Sequence, residues 1–194
     1  MNRSTVIVDM DCIIVDFFTP LLDEYYSRTG ELVCVSAFKS WDMDKYVRDP
    51  KTLYAIFHEQ GFFSKLQPLP GAIEALKAIK ENHDVVIATS PSSDYSAAEK
   101  KAWCRDYLSF VDAKDVFIGS NKFRIKGDVL IDDAVHNAQA YRSHWPQALI
   151  MTLPYAYNVE HNGVYDIRCR EDLSTEICWL SMASIINSRA NKFL

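Results

Sequence analysis

Short apolar runs recur along this chain at Thr5–Met10, Asp84–Thr89, Asp115–Ile118, Asp128–Ile131 and Ala148–Thr152. Runs this short, bounded by polar and turn-forming residues, predict buried strands. Between the later runs, apolar positions follow a helical period over roughly Gly71–Glu81, Ser93–Leu108 and Ala134–Ser143. Strands alternating with helices predict an α/β fold, a Rossmann-like parallel sheet with helices on both faces. A last amphipathic helix is expected between Glu171 and Leu194, on the spacing of Leu173, Ile177, Leu180, Ser184 and Ile185. Its plain role is docking onto the sheet, and a homodimer contact is the alternative.

One segment breaks the alternation. Between the first strand and the next lies far more chain than one crossover helix needs, from Asp16 to Leu69. It is rich in aromatic residues, including Phe17, Phe18, Trp41, Tyr54, Phe57, Phe62 and Phe63, and it ends at the turn Pro68-Leu69-Pro70-Gly71. The expected organisation is therefore a core of residues 1–15 and 70–194 with a small helical cap, residues 16–69, inserted after the first strand. Most of its rings are expected to pack the cap's own core, and a cap of this kind can exclude water from a site beneath it.

At 194 residues and 48% apolar content, one packed core plus an insertion is accessible. The net charge of −5 disfavours a nucleic-acid polymer as partner. It leaves room for a small anionic substrate, because a bound cation can invert the local field. The five cysteines form no CxxC pair, which points to a reducing compartment. No apolar run approaches the ~20 residues of a membrane span, and no basic-then-apolar leader is evident, so a cytoplasmic location is expected.

Chemistry concentrates where strands end. Val6-Ile7-Val8 leads into Asp9-Met10-Asp11. Two carboxylates so close repel unless a cation or a shared proton lies between them. The run Val85–Ala88 leads into Thr89-Ser90-Pro91, whose hydroxyls and free amides suit a phosphate oxygen, and Lys100 follows on the next helix. Leu130-Ile131 leads into a second acidic pair, Asp132-Asp133. Singly, each could be a helix cap or turn former. Their order along an alternating chain places all of them at one sheet edge, where α/β folds keep their chemistry.

That order resembles the haloacid dehalogenase superfamily of phosphatases. Within it, Asp9-Met10-Asp11 with Asp16-Phe17, Gly61-Phe62-Phe63 through Leu69-Pro70-Gly71-Ala72, Ala88-Thr89-Ser90-Pro91, Lys100 with Trp103, and Leu130-Ile131-Asp132-Asp133 resemble the 5'(3')-deoxyribonucleotidases. The resemblance spans roughly residues 5–155 and implies Mg²⁺-dependent hydrolysis of nucleoside monophosphates. Asp9 is then the nucleophile and Asp11 the general acid and base. Mg²⁺ is held by Asp9, the backbone carbonyl of Asp11 and one of Asp132 and Asp133, the choice between these two staying open. Thr89, Ser90 and Lys100 bind phosphate, and Phe17, Phe62 and Lys122 border the substrate. A phosphatase acting on another small phosphomonoester, or an inactive scaffold binding a phosphorylated ligand, are the alternatives. The chain departs from the family at Cys12, where glycine is usual, and at Ser120 and Ala134, where basic residues are usual. Pro154–Asn158 either closes the site or forms an ordinary turn with surface tyrosines.

Overall fold

The computed structural model describes residues 3–159, 161 and 163–190. Six strands form one sheet: β1 (Thr5–Val8), β2 (Asp84–Thr89), β3 (Val116–Ile118), β4 (Val129–Ile131), β5 (Leu149–Thr152) and β6 (Ile167–Arg168). Their order is β3-β2-β1-β4-β5-β6, and every neighbouring pair is parallel. The helices are α1 (Phe18–Thr29), α2 (Pro50–His58), α3 (Ala72–Asn82), α4 (Asp94–Tyr107), α5 (Val135–His144) and α6 (Thr175–Ala190). This is the predicted parallel sheet with a helical insertion after its first strand.

Side chains alternate across the central strands and build two cores. Val6 and Val8 face the larger one with Val85, Ile87 and the helices α3 and α6. Ile7 faces the smaller one with Leu130, Ile150 and Tyr141 of α5. Val8 is in register with Ile87 on one side and Ile131 on the other, so the segments after β1 and β4 emerge at one level. The strand order reverses at β1, and the crevice of such a sheet opens there.

The structure differs from expectation in three places. β1 stops at Val8 because the chain curls around the Met10 carbonyl, which accepts the N–H groups of Ile13, Ile14 and Val15 at 3.3, 2.8 and 3.0 Å. β6 has only two residues, too few for a periodic signal. In α6 the buried positions are Cys178, Trp179, Met182, Ala183 and Ile186, while Ile177 and Leu180 are 47% and 54% exposed. Trp179 sets that rotation, since its indole N–H reaches the Ile13 carbonyl at 3.1 Å. Of the helix expected to reach Leu194, residues 191–194 lie outside the described residues.

The insertion is sewn shut where it joins the core. Asp16 N–H donates to the Gln67 carbonyl at 2.9 Å, and Leu69 N–H to the Ile14 carbonyl at 2.7 Å. Gly71 then turns the chain into α3 with φ of +80°, and a Cβ there would lie 2.9 Å from the Glu176 Cα on α6. Both backbone conformation and contact with α6 thus require glycine. Gly71→Ala is expected to lower unfolding free energy by about 1–3 kcal/mol, read from the midpoint of urea denaturation. An unchanged midpoint would show that α6 shifts without cost.

Candidate active site

Asp9 and Asp11 follow β1, Thr89 ends β2, and Asp132 and Asp133 follow β4. Lys100 comes up from α4 and Lys122 from the 3₁₀ turn Lys122–Arg124 after β3. The carboxylates of Asp9, Asp132 and Asp133 are buried and lie within 4.8 Å of one another. Lys122 stands between two of them, its ammonium 2.7 Å from both Asp9 Oδ1 and Asp132 Oδ2. Its buried charge is favoured there, and its pKa is raised by the two carboxylates against the cost of desolvation. The sequence suggested Lys122 only as a basic residue near substrate; the structure puts it against Asp9.

Lys100 is fully buried, and its ammonium bonds Asp11 Oδ2, Thr89 Oγ1 at 3.0 Å and the Ser90 carbonyl at 2.8 Å. The phosphate-binding trio expected from the sequence is therefore one connected cluster. Burial raises the Asp11 carboxyl against the pull of Lys100, which favours a proton on this group.

The two acids after β4 differ in their surroundings. Asp132 has both oxygens occupied: Ala134 N–H donates to Oδ1 at 2.9 Å, Lys122 bonds Oδ2, and the Asn137 amide reaches both at 3.2 and 3.1 Å. Asp133 receives the Tyr157 hydroxyl on Oδ2 at 2.5 Å, but its buried Oδ1 has no hydrogen-bond partner. Asp11 Oδ1 is likewise buried and unpartnered. A clustered set of carboxylate oxygens with such unmet acceptors suits a hard divalent cation.

The loop carrying Asp9 and Asp11 is held from behind. Cys12 adopts φ of +60°, alone among the described non-glycine residues in the left-handed region. A left-handed backbone that glycine adopts most easily is thus carried by a cysteine, which bears the strain. Its carbonyl accepts the Tyr155 hydroxyl at 2.7 Å. The Cys12 thiol is buried, and desolvation with the nearby carboxylates Asp133 and Asp11 raises its pKa, so it packs as a small apolar group. The segment Pro154–Asn158 packs against Asp133 and is no turn of surface tyrosines: Tyr157 and Asn158 are buried and bond that residue. Asn137 and Tyr157 were not among the site residues predicted from sequence. Asn137 follows the acidic pair at a helix start, but nothing in its spacing announces which carboxylate it grips.

Two cavities meet at these residues. A polar one of about 120 Å³ is lined by Asp9, Asp11, Ser90, Lys122, His136 and Asn137, with Trp41 at its edge. A larger one of about 550 Å³ lies under the insertion against Phe17, Trp41, Tyr54, Phe57 and Phe63, and opens onto Ser90 and Lys100. Asp11 lines both. Phe62 stands behind this wall, half-buried and edge-on to Phe17 with centroids 5.6 Å apart; Phe63 takes the lining position.

A family model described as 5' nucleotidase, deoxy (pyrimidine), cytosolic type C protein matches residues 3–177. The chain belongs to this family. Its relatives include the 5'(3')-deoxyribonucleotidase of Bacillus subtilis, 23% identical over 146 residues that cover 72% of this chain and 81% of that protein. The mitochondrial 5'(3')-deoxyribonucleotidase of Mus musculus is 33% identical over 139 residues, covering 66% of this chain and 63% of that protein. In fold, a haloacid dehalogenase-like family hydrolase of Streptococcus pneumoniae matches with a TM-score of 0.61 at 10% identity, over 94% of this chain and 98% of that one. Membership in the cytosolic type C nucleotidase family and the carboxylate cluster together support phosphoryl hydrolysis through an aspartyl intermediate with a divalent cation. No helix among the described residues is long and apolar enough to cross a membrane.

The cluster makes stability depend on pH. Burial, with Asp9 nearby, pushes Asp132 up to about 6 and raises Asp133 well above the usual carboxylate range. A carboxyl raised in the folded state contributes its stabilisation fully below its ordinary value of 3.8, and loses it as pH climbs through about 6. A divalent cation binding the ionised cluster offsets that loss. The rise in Tm on adding Mg²⁺ is therefore expected to be larger near pH ~7.5 than near pH ~5. Differential scanning fluorimetry at both values checks this; equal shifts would contradict it.

Proposed function

We propose that this protein is a Mg²⁺-dependent 5'(3')-deoxyribonucleotidase that hydrolyses the phosphate of (deoxy)ribonucleoside monophosphates. The observation that carries the reading is the junction of a small charged chamber with a larger aromatic one at Asp11. A phosphate fits the first and a nucleoside the second, with the bond between them beside Asp11. Residues 16–69 act in this reading as a cap over the core of residues 1–15 and 70–194.

Asp9 attacks phosphorus and forms an aspartyl-phosphate as the bond to the nucleoside oxygen breaks. Asp11 gives that oxygen its proton, and its raised pKa supports this role. Water then attacks the aspartyl-phosphate while Asp11 takes a proton back, which frees Asp9 and inorganic phosphate. Lys100, Thr89 and Ser90 hold the non-bridging oxygens, and Lys122 keeps Asp9 aligned and neutralises charge beside it. Mg²⁺, when bound, supplies further neutralisation of the phosphoryl oxygens. Asp9, Asp133 and the Asp11 carbonyl are the groups that would hold it. Asp133 rather than Asp132 is assigned because its Oδ1 is free while both Asp132 oxygens are engaged. Phe17 and Phe63 form the nucleoside wall, and Phe62, expected there from the sequence, packs behind it against Phe17.

Phosphate release from a panel of deoxy- and ribonucleoside monophosphates, with Mg²⁺ or EDTA, tests the proposal. Asp9→Asn is expected to lose roughly three or more orders of magnitude in kcat. An apolar wall beside C2' leaves a ribose 2'-hydroxyl without a partner, so dUMP is expected to exceed UMP about tenfold in kcat/KM. Equal turnover of the two would remove the deoxyribose preference. Turnover of p-nitrophenyl phosphate but of no nucleotide would discard the nucleotide reading and keep the mechanism.

The metal assignment has its own check. Asp133→Asn is expected to abolish the Mg²⁺-induced rise in Tm, whereas Asp132→Asn retains part of it. The reverse pattern would exchange their roles.

A further inference from the structure

The larger cavity carries one feature that neither phosphate chemistry nor ring stacking uses. Its cap-side wall is aromatic and apolar at Phe17, Met43, Tyr54, Phe57 and Phe63, and His58 and the acidic Asp42 also line it. Asp11 and Lys100, the other carboxylate and the ammonium bordering this space, bond each other at the phosphate end. Asp42 therefore brings the formal negative charge that the cap contributes to the lining. Lys45 bonds its Oδ2 at 2.5 Å and is not among the lining residues, so a carboxylate has lone pairs left for a ligand. Lys45, with the neighbouring Asp44 side chain, holds the Asp42 pKa below its ordinary value.

A carboxylate accepts hydrogen bonds and offers none. Beside an aromatic wall, it attracts a ring edge bearing amino hydrogens and repels one bearing carbonyl oxygens. We infer that Asp42 selects the nucleobase, favouring bases with an exocyclic amino group, such as cytosine, over uracil and thymine. The inference rests on the nucleotide reading above. Cytosine and uracil make the sharpest comparison, because at position 4 an amino donor replaces a carbonyl acceptor and the rest of the nucleotide is nearly unchanged. The same pairing of a carboxylate with the cytosine amino group serves base recognition elsewhere.

The experiment is the ratio of kcat/KM for dCMP to that for dUMP, measured on one preparation each of wild type, Asp42→Asn and Asp42→Val. A ratio taken on a single preparation is insensitive to the fraction of folded enzyme. Wild type is expected to favour dCMP at least about fivefold, since polar contacts at a partly exposed site discriminate modestly. Asp42→Val is expected to bring the ratio to about one or below, mainly through KM for dCMP. Asp42→Asn, which can present either an acceptor or a donor, is expected to fall between. The same ratio in wild type and Asp42→Val, or a wild-type preference for dUMP, overturns the assignment while leaving the nucleotidase intact. Turnover of p-nitrophenyl phosphate with none of either nucleotide overturns both.

Discussion

Four carboxylates crowd one edge of the sheet, and among the described residues two lysines answer them. Asp9, Asp132 and Asp133 are buried with Asp11 beside them, and Lys100 and Lys122 supply the opposing charge. Like charges in a low dielectric repel strongly unless balanced. The two ammonium groups balance two of the four formal charges, and protons on the carboxyls or a divalent cation can meet the rest. Burial is the first cause of the raised pKa values of Asp11, Asp132 and Asp133, and the neighbouring Asp9 charge adds to each. The surrounding structure serves to hold this arrangement in place.

The holding is done mostly by backbone. Matched ends of β1 and β4, beside β2 running on to Thr89, gather three separate segments at one edge, and the curl around the Met10 carbonyl aims Asp9 and Asp11 into the same crevice. Trp179 and Tyr155 grip that curl by its carbonyls, from α6 and from the loop after β5. On the other side, Glu99 of α4 accepts the N–H groups of Gly61 and Phe63, and Trp103 donates to the Leu66 carbonyl. One helix thus carries Lys100 and fastens the returning limb of the insertion, so the aromatic wall and the phosphate cluster share a support.

What the sequence revealed depended on the range of the interaction. Strand ends, the two acidic pairs and the insertion are local patterns, and they were legible because apolar runs, turn residues and motif order sit side by side in the chain. Partnerships across the fold were not. Nothing near Lys122 indicates that it bridges Asp9 and Asp132, and Tyr157 reads equally as part of a closing segment or as a surface tyrosine. The α6 stripe was misplaced for a related reason. Ile177 and Leu180 are as apolar as the residues that are buried, and only the distant Ile13 carbonyl decides that Trp179 turns inward. Cys12 shows the converse, a residue that argues against a left-handed turn in a place where tertiary structure imposes one.

The seam at Ile14–Asp16 and Gln67–Leu69 has a consequence for how this molecule can change over generations. Because the two chain ends are tied at the root, the core meets the same boundary whatever length of chain lies between them. Loop entropy grows only slowly with that length. Outside the limb Gly61–Leu66 that α4 holds, the length of chain after Phe17 can change at little cost to the sheet. Under the proposed function, such changes would alter the lining of the larger cavity while the carboxylates at the sheet edge keep their places.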